Sequence, residues 1–131
     1  VSQIGDLANY RLKKAREHLK SAEILLNNGI YGDSLSRSYY AVFTAVRALL
    51  ATKQLDSKKH SGVISLFNQH FVKPGIVDRS MGKELSKARV RRESSDYTDF
   101  YLVNKEEAVS QLETAKKFIL AIESTLVKES L

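Results

Sequence analysis

The chain has no cysteine and no tryptophan, and only one proline and six glycines in 131 residues. Without cysteine there is no disulfide, no thiolate nucleophile and no cysteine-ligated zinc. The lone proline, Pro74, and the scattered glycines leave long stretches unbroken. The abundance of Ala, Leu, Lys and Glu then favours helix over sheet. No run approaches the ~20 apolar residues of a membrane span, and residues 1–10 lack the apolar core of a signal peptide. A cytoplasmic protein with no membrane attachment is therefore expected. The GxxxxGK[ST] loop, the GxGxxG turn, the HExxH helix and the EF-hand loop are all missing. The three histidines, His18, His60 and His70, are not paired at i, i+3 or i+4, so no metal and no other cofactor is expected.

What is present is an excess of positive charge, unevenly placed. The formal net charge is +6, and residues 51–93 carry ten basic and four acidic side chains, against four and seven over 94–131. A basic middle third suits an acidic partner such as nucleic acid; the plainer alternative is a well-solvated surface. The length suits one domain, 1–131, that buries roughly two-thirds of its unfolded surface.

Apolar spacing places five helices. Ala8, Leu12, Ala15, Leu19, Ala22 and Leu26 form one stripe and predict a helix over 7–28. Asn27-Asn28-Gly29 stops it, with Gly29 suited to a left-handed cap. A second, antiparallel helix is expected over 32–53, with Leu35, Tyr39, Val42, Phe43, Val46, Leu49 and Leu50 facing the core. Its other face holds Arg37, Tyr40, Ala41, Thr44, Ala48 and Ala51. Small residues permit close approach, so Tyr40, Ala41, Thr44 and Ala48 are the candidate face for a second subunit. Ser57 is the expected cap of a short helix over 58–71. A fourth helix is expected over 78–93, with 94–97 as a loop or one irregular turn, and a fifth over 105–128, started by an Asn104/Glu107 capping box. The fold class is all-α: an up-and-down four-helix bundle with an additional short helix.

Three places could carry chemistry. Arg37, Tyr40 and Thr44 lie on one helical stripe, with Asp33 one turn before Arg37 and able to pair with it. Arg37 can grip a phosphate with two N–H groups, and Tyr40 can stack on a base or bond a phosphate. Alternatively, Asp33 holds Arg37 and Tyr40 packs at an interface. Arg92 continues the core stripe of Met81, Leu85 and Ala88, so its charge needs a carboxylate, with Asp96 or Asp33 the nearest in sequence. His60 opens the third helix, where the helix dipole favours a neutral imidazole able to act as a general base; an ordinary hydrogen-bonded surface residue is the alternative. His18 and His70 have no supporting pattern.

SRSYYAVFTA over residues 36–45 resembles the second-helix signature of the HEPN superfamily, in particular the small stand-alone prokaryotic HEPN proteins, whose pattern reads roughly SRxYYAxFHA. KHSGVI over 59–64 is similar to that subgroup's HSGVI stretch, and Arg92 to Tyr97 to its RxxxDY segment. The resemblance implies a helical bundle, usually a homodimer, associated with RNA or a nucleotide. It also implies a toxin–antitoxin context with a minimal nucleotidyltransferase as partner. Many such proteins are metal-independent ribonucleases that use an arginine and a histidine further along the same helix. The ribose 2′-OH attacks the adjacent phosphate while a base takes its proton and a cation stabilises the phosphorane. Arg37 matches that arginine, but Thr44 stands where the histidine would be, and threonine is no general base near neutral pH. The expectation is a non-catalytic or weakly active module that contacts RNA or a nucleotide through Arg37, Tyr40, Thr44, Arg92, Asp96 and Tyr97. The alternatives are an active ribonuclease toxin in which His60 serves with Arg37, and a purely structural dimerisation protein.

Overall fold

The computed structural model describes residues 3–130. Five α-helices follow one another: α1 (Gln3–Asn27), α2 (Tyr31–Ala51), α3 (His60–Phe67), α4 (Arg79–Tyr97) and α5 (Lys105–Ser130), with a π-helical turn, Asn68–Val72, continuing α3. There is no strand among the described residues, so the all-α expectation holds. None of these helices is long and apolar enough to cross a membrane.

The α1–α2 turn is built from local hydrogen bonds. Gly29 sits at φ 75°, where a side chain would be strained. Its N–H donates to Leu26 O and that of Ile30 to Leu25 O, the Schellman pattern. The tight turn sets an antiparallel register. The Ser34 hydroxyl donates to Ala22 O at 2.7 Å, and near the far end Arg11 donates to Arg47 O at 3.0 Å.

One apolar core draws on all five helices and the π turn. Its axis is α2, which packs against α1, α3, α4 and α5. Leu35, Val46, Leu49 and Leu50 are fully buried, and so are Ala41, Ala45 and Ala48. A helix covered on all but one stripe occupies the middle of a bundle. This corrects the expected subunit face: Ala41 and Ala48 are consumed inside the chain, because the small residues admit a helix of the same chain. Tyr40 and Thr44 remain half-buried, and Arg37 is exposed.

Two boundaries differ from expectation. Ser57 does not cap α3. The N-cap position is Lys59, and the Ser57 hydroxyl accepts from Lys59 N in the preceding turn. At α4, Asp78 is the cap, its carboxylate accepting from Ser80 N at 2.9 Å. The helix does not end at 93 but runs on to Tyr97. The expected box at α5 is present: Glu107 N donates to Asn104 Oδ1 at 2.8 Å, and Asn104 N to Glu107 Oε1 at 3.4 Å.

Candidate functional site

The extra turn of α4 builds the most polar part of the bundle. With residues 94–97 helical, Asp96 stands one turn beyond Arg92, and its Oδ2 lies 2.9 Å from Arg92 Nε. The angle is too poor for a hydrogen bond from that nitrogen, so this contact is a charge pair. The Arg92 side chain is only 16% exposed, as its place on the core stripe requires. It also donates from Nη2 to the Tyr40 hydroxyl at 2.8 Å, and its guanidinium lies 5.7 Å from the centre of the Tyr97 ring. Ser36 on α2 donates to Asp96 Oδ1 at 3.3 Å. Arg92 and Asp96 thus tie α4 to α2 beside Tyr40.

Arg37 is not held by Asp33, since no carboxylate among the described residues lies within ion-pair distance of it. Its neighbour is His18 on α1, with Nη1 at 3.4 Å from the imidazole Nδ1. The His18 ring lies 6.2 Å from that of Tyr40. Sequence reasoning gave His18 no role. The signal was in the register: with Ala22 opposite Ser34 and Arg11 opposite Arg47, His18 falls opposite Arg37 and Tyr40.

His60 reaches the same neighbourhood from α3 but sits behind Tyr40. It stacks on Phe43 with ring centres 4.2 Å apart, and its Nδ1 lies 2.8 Å from the Tyr39 hydroxyl. Burial pushes the Tyr39 phenol up to about 12, so it stays protonated. Among the described residues, His60 is the one hydrogen-bond partner of the Tyr39 hydroxyl. A buried O–H needs an acceptor, so it donates to Nδ1 and leaves the His60 proton on Nε2. The same logic fixes His18, because a guanidinium only donates and His18 Nδ1 must accept. Both imidazoles are held below their usual pKa. For His18 the causes are burial first, then Arg37 and Lys14; for His60 they are burial first, then Arg92 and Arg89.

Near neutral pH the cluster therefore offers hydrogen-bond donors: the exposed Arg37 guanidinium, the Nε2–H of His18, and the Tyr40 O–H, whose oxygen already accepts from Arg92. Converging donors on two arginine-bearing helices can hold an anionic oxygen. Both histidines lack the free ring nitrogen that a general base needs. Of the expected site residues, the structure brings together Arg37, Tyr40, Arg92, Asp96 and Tyr97. Thr44 is one turn further along the Tyr40 stripe, and His60 is engaged with Tyr39. The described residues contain no group of three His, Asp or Glu side chains placed to share a metal ion.

This arrangement, a central helix carrying Arg37 and Tyr40 inside a five-helix bundle, defines a class. The chain belongs to the HEPN domain family, which matches residues 8–125. It is 39% identical over 112 residues to "Putative toxin MJ0605" of Methanocaldococcus jannaschii, covering 86% of this chain and 83% of that protein. It is 36% identical over 120 residues to a "UPF0332 protein" of Thermotoga maritima, covering 92% and 91%. A second M. jannaschii protein, "Putative toxin MJ0142", is 32% identical over 120 residues, covering 92% and 82%. The crystal structure of TT1696 from Thermus thermophilus has a similar fold, with a TM-score of 0.77 at 19% identity, over 90% of this chain and 97% of that one.

Proposed function

We propose that this chain is a toxin-type HEPN module that grips a phosphate of RNA or a nucleotide with Arg37, His18 and Tyr40, without cleaving the strand efficiently. The observation that carries this reading is the unpaired, exposed Arg37 beside a neutral His18 and the free O–H of Tyr40. The names of the two M. jannaschii relatives support the toxin context. Arg92, held by Asp96, fixes the Tyr40 hydroxyl through its Nη2 donor, and Tyr97, 74% exposed, offers a ring on which a base can stack. Thr44 supplies no base. His60 has its acceptor nitrogen occupied by Tyr39, which weighs against its serving with Arg37. The open stripe around Arg37, Tyr40 and Thr44 can meet a second copy, so a homodimer in the cytoplasm, with a minimal nucleotidyltransferase as partner protein, completes the reading. The purely structural alternative loses its main support with Ala41 and Ala48 buried.

Fluorescence anisotropy with a single-stranded 20-nucleotide RNA tests the reading. Arg37→Ala removes a charged hydrogen bond worth about 1.5–3 kcal/mol. Affinity should therefore fall roughly 10- to 150-fold, and the wild-type protein should leave the RNA intact. Unchanged affinity in the variant would reject the site. Strong wild-type cleavage lost in Arg37→Ala would reject the non-catalytic part.

A further inference from the structure

A second charged surface lies outside the Arg37 cluster, along the side of α4 that faces α3 and the π turn. Arg79, Lys83 and Lys87 stand one turn apart on a single row and are all exposed. None is within ion-pair distance of a carboxylate among the described residues. Like charges at i, i+4 repel one another, so the row works against the helix that carries it. A merely solvated face would interleave acids, yet Glu84 lies on a different side of α4, lining a separate hollow with Asp78 and Thr114.

The row overlooks two adjoining shallow hollows. One, of about 430 Å³, is lined by Arg79, Lys83 and Lys87 with Asn68, Val72 and Ser86. The other, of about 640 Å³, shares Asn68 and Val72 and adds Lys73, Gln69 and Arg89. The floor is unusual in two ways. Asn68–Val72 is π-helical, an irregularity found more often at functional sites than elsewhere. Opposite it, Gly82 lets α4 come so close that a Cβ there would lie 2.6 Å from Asn68 Oδ1. Lysines and arginines thus ring a floor in which the amides of Asn68 and Gln69 and the hydroxyl of Ser86 stand among apolar Val72 and Ile64; these polar groups can bond phosphate or ribose oxygens.

The groove leads toward the first cluster. Arg89 lines its end; its charge helps depress the His60 imidazole and partly offsets the burial that raises the Tyr39 phenol. Arg92 follows three residues later. From Arg79 to Arg89 the helix axis covers about 15 Å, long enough for a few nucleotides of an extended strand.

We infer that the groove between α4 and the α3–π segment is a second nucleic-acid contact, in which Arg79, Lys83 and Lys87 track the phosphodiester backbone of single-stranded RNA whose phosphate is held at Arg37. The RNA identity rests on the function proposed above; the groove itself stands on the unpaired cation row, the π turn and the Gly82 approach. The groove reads backbone charge rather than sequence, so it selects for length and lengthens the footprint beyond one nucleotide.

The test compares wild type, Arg37→Ala and the triple variant Arg79→Gln/Lys83→Gln/Lys87→Gln in binding the same 20-nucleotide RNA across a salt series. All three residues are exposed, so the triple variant should fold; circular dichroism checks this. Loss of three single-strand contacts should make the log–log salt slope shallower by about 2, with weaker binding at every salt concentration below the crossover. An unchanged slope in the triple variant, with Arg37→Ala still weakened, overturns the groove and leaves the proposed function standing. A reduced slope with Arg37→Ala unaffected upholds the groove and rejects the Arg37 site. Wild type that binds no RNA overturns both. Wild type that binds poly-glutamate more tightly than RNA, through the same three residues, reassigns the groove to an acidic protein and overturns the inference.

Discussion

On the proposed function, Thr44→His is expected to raise the rate of RNA cleavage by about 10²–10⁴, the usual contribution of a positioned general base. Thr44 lies two turns beyond Arg37 on the same stripe of α2 and is half-buried, so an imidazole there has room to reach the solvent side. Arg37 already supplies a cation for the charge that develops on phosphorus. The missing element is an acceptor for the 2′-OH proton, because His18 Nδ1 is taken by Arg37 and His60 Nδ1 by Tyr39. Cleavage by the variant should survive EDTA and vanish in Thr44→His/Arg37→Ala. Unchanged, background cleavage by a variant that still binds RNA would show that the base is not what the site lacks.

Leu49→Ala is expected to cost about 2–5 kcal/mol of folding stability. Leu49 is fully buried on α2, the helix that touches every other helix of the bundle. Deleting its isobutyl group forfeits burial and leaves a void that the surrounding elements cannot easily close. Urea unfolding checks the value. The loss should appear as a lower midpoint with an unchanged slope, since the denatured surface hardly changes. A cost below about 1 kcal/mol would mean that the core is not centred on α2.

The elements of this fold were legible because helix spacing is a strong signal. Six apolar positions on α1 and the six at Ala108, Leu112, Ala115, Ile119, Ile122 and Leu126 on α5 drew their own stripes, and the Asn104/Glu107 box marked the start of α5. What escaped was decided by tertiary contact. Ser94, Ser95 and Asp96 favour turns over helix interiors, so the sequence ends α4 early. In the bundle, the Arg92–Asp96 pair and the Ser36 hydrogen bond hold that last turn helical. Ala41 and Ala48 looked like a seam for a second chain, since small residues signal close approach without saying whose helix approaches. The Asp33–Arg37 pairing was reasonable by spacing, but the α1–α2 register brought His18 to Arg37 instead. The π turn after α3 left no readable trace in residues 68–72.

The histidines offer the most direct test of the phosphate site. Burial and nearby arginines hold His18 and His60 below the ordinary imidazole value. A phosphate seated on Arg37 neutralises charge that depresses His18, so its pKa should rise when the site is filled. A group whose pKa is higher in the complex takes up a proton on binding. Affinity should therefore increase as pH falls through the bound value and level off below the free value, and the gain should be absent once pH exceeds the bound value. The decisive measurement is an NMR titration of the His18 and His60 ring signals, with and without a short single-stranded RNA. The expected result is a free His18 pKa below the ordinary imidazole value, raised on addition of RNA, with a smaller rise at His60 and no rise in Arg37→Ala. A His18 pKa that ignores saturating RNA would contradict the claim that Arg37, His18 and Tyr40 hold the phosphate.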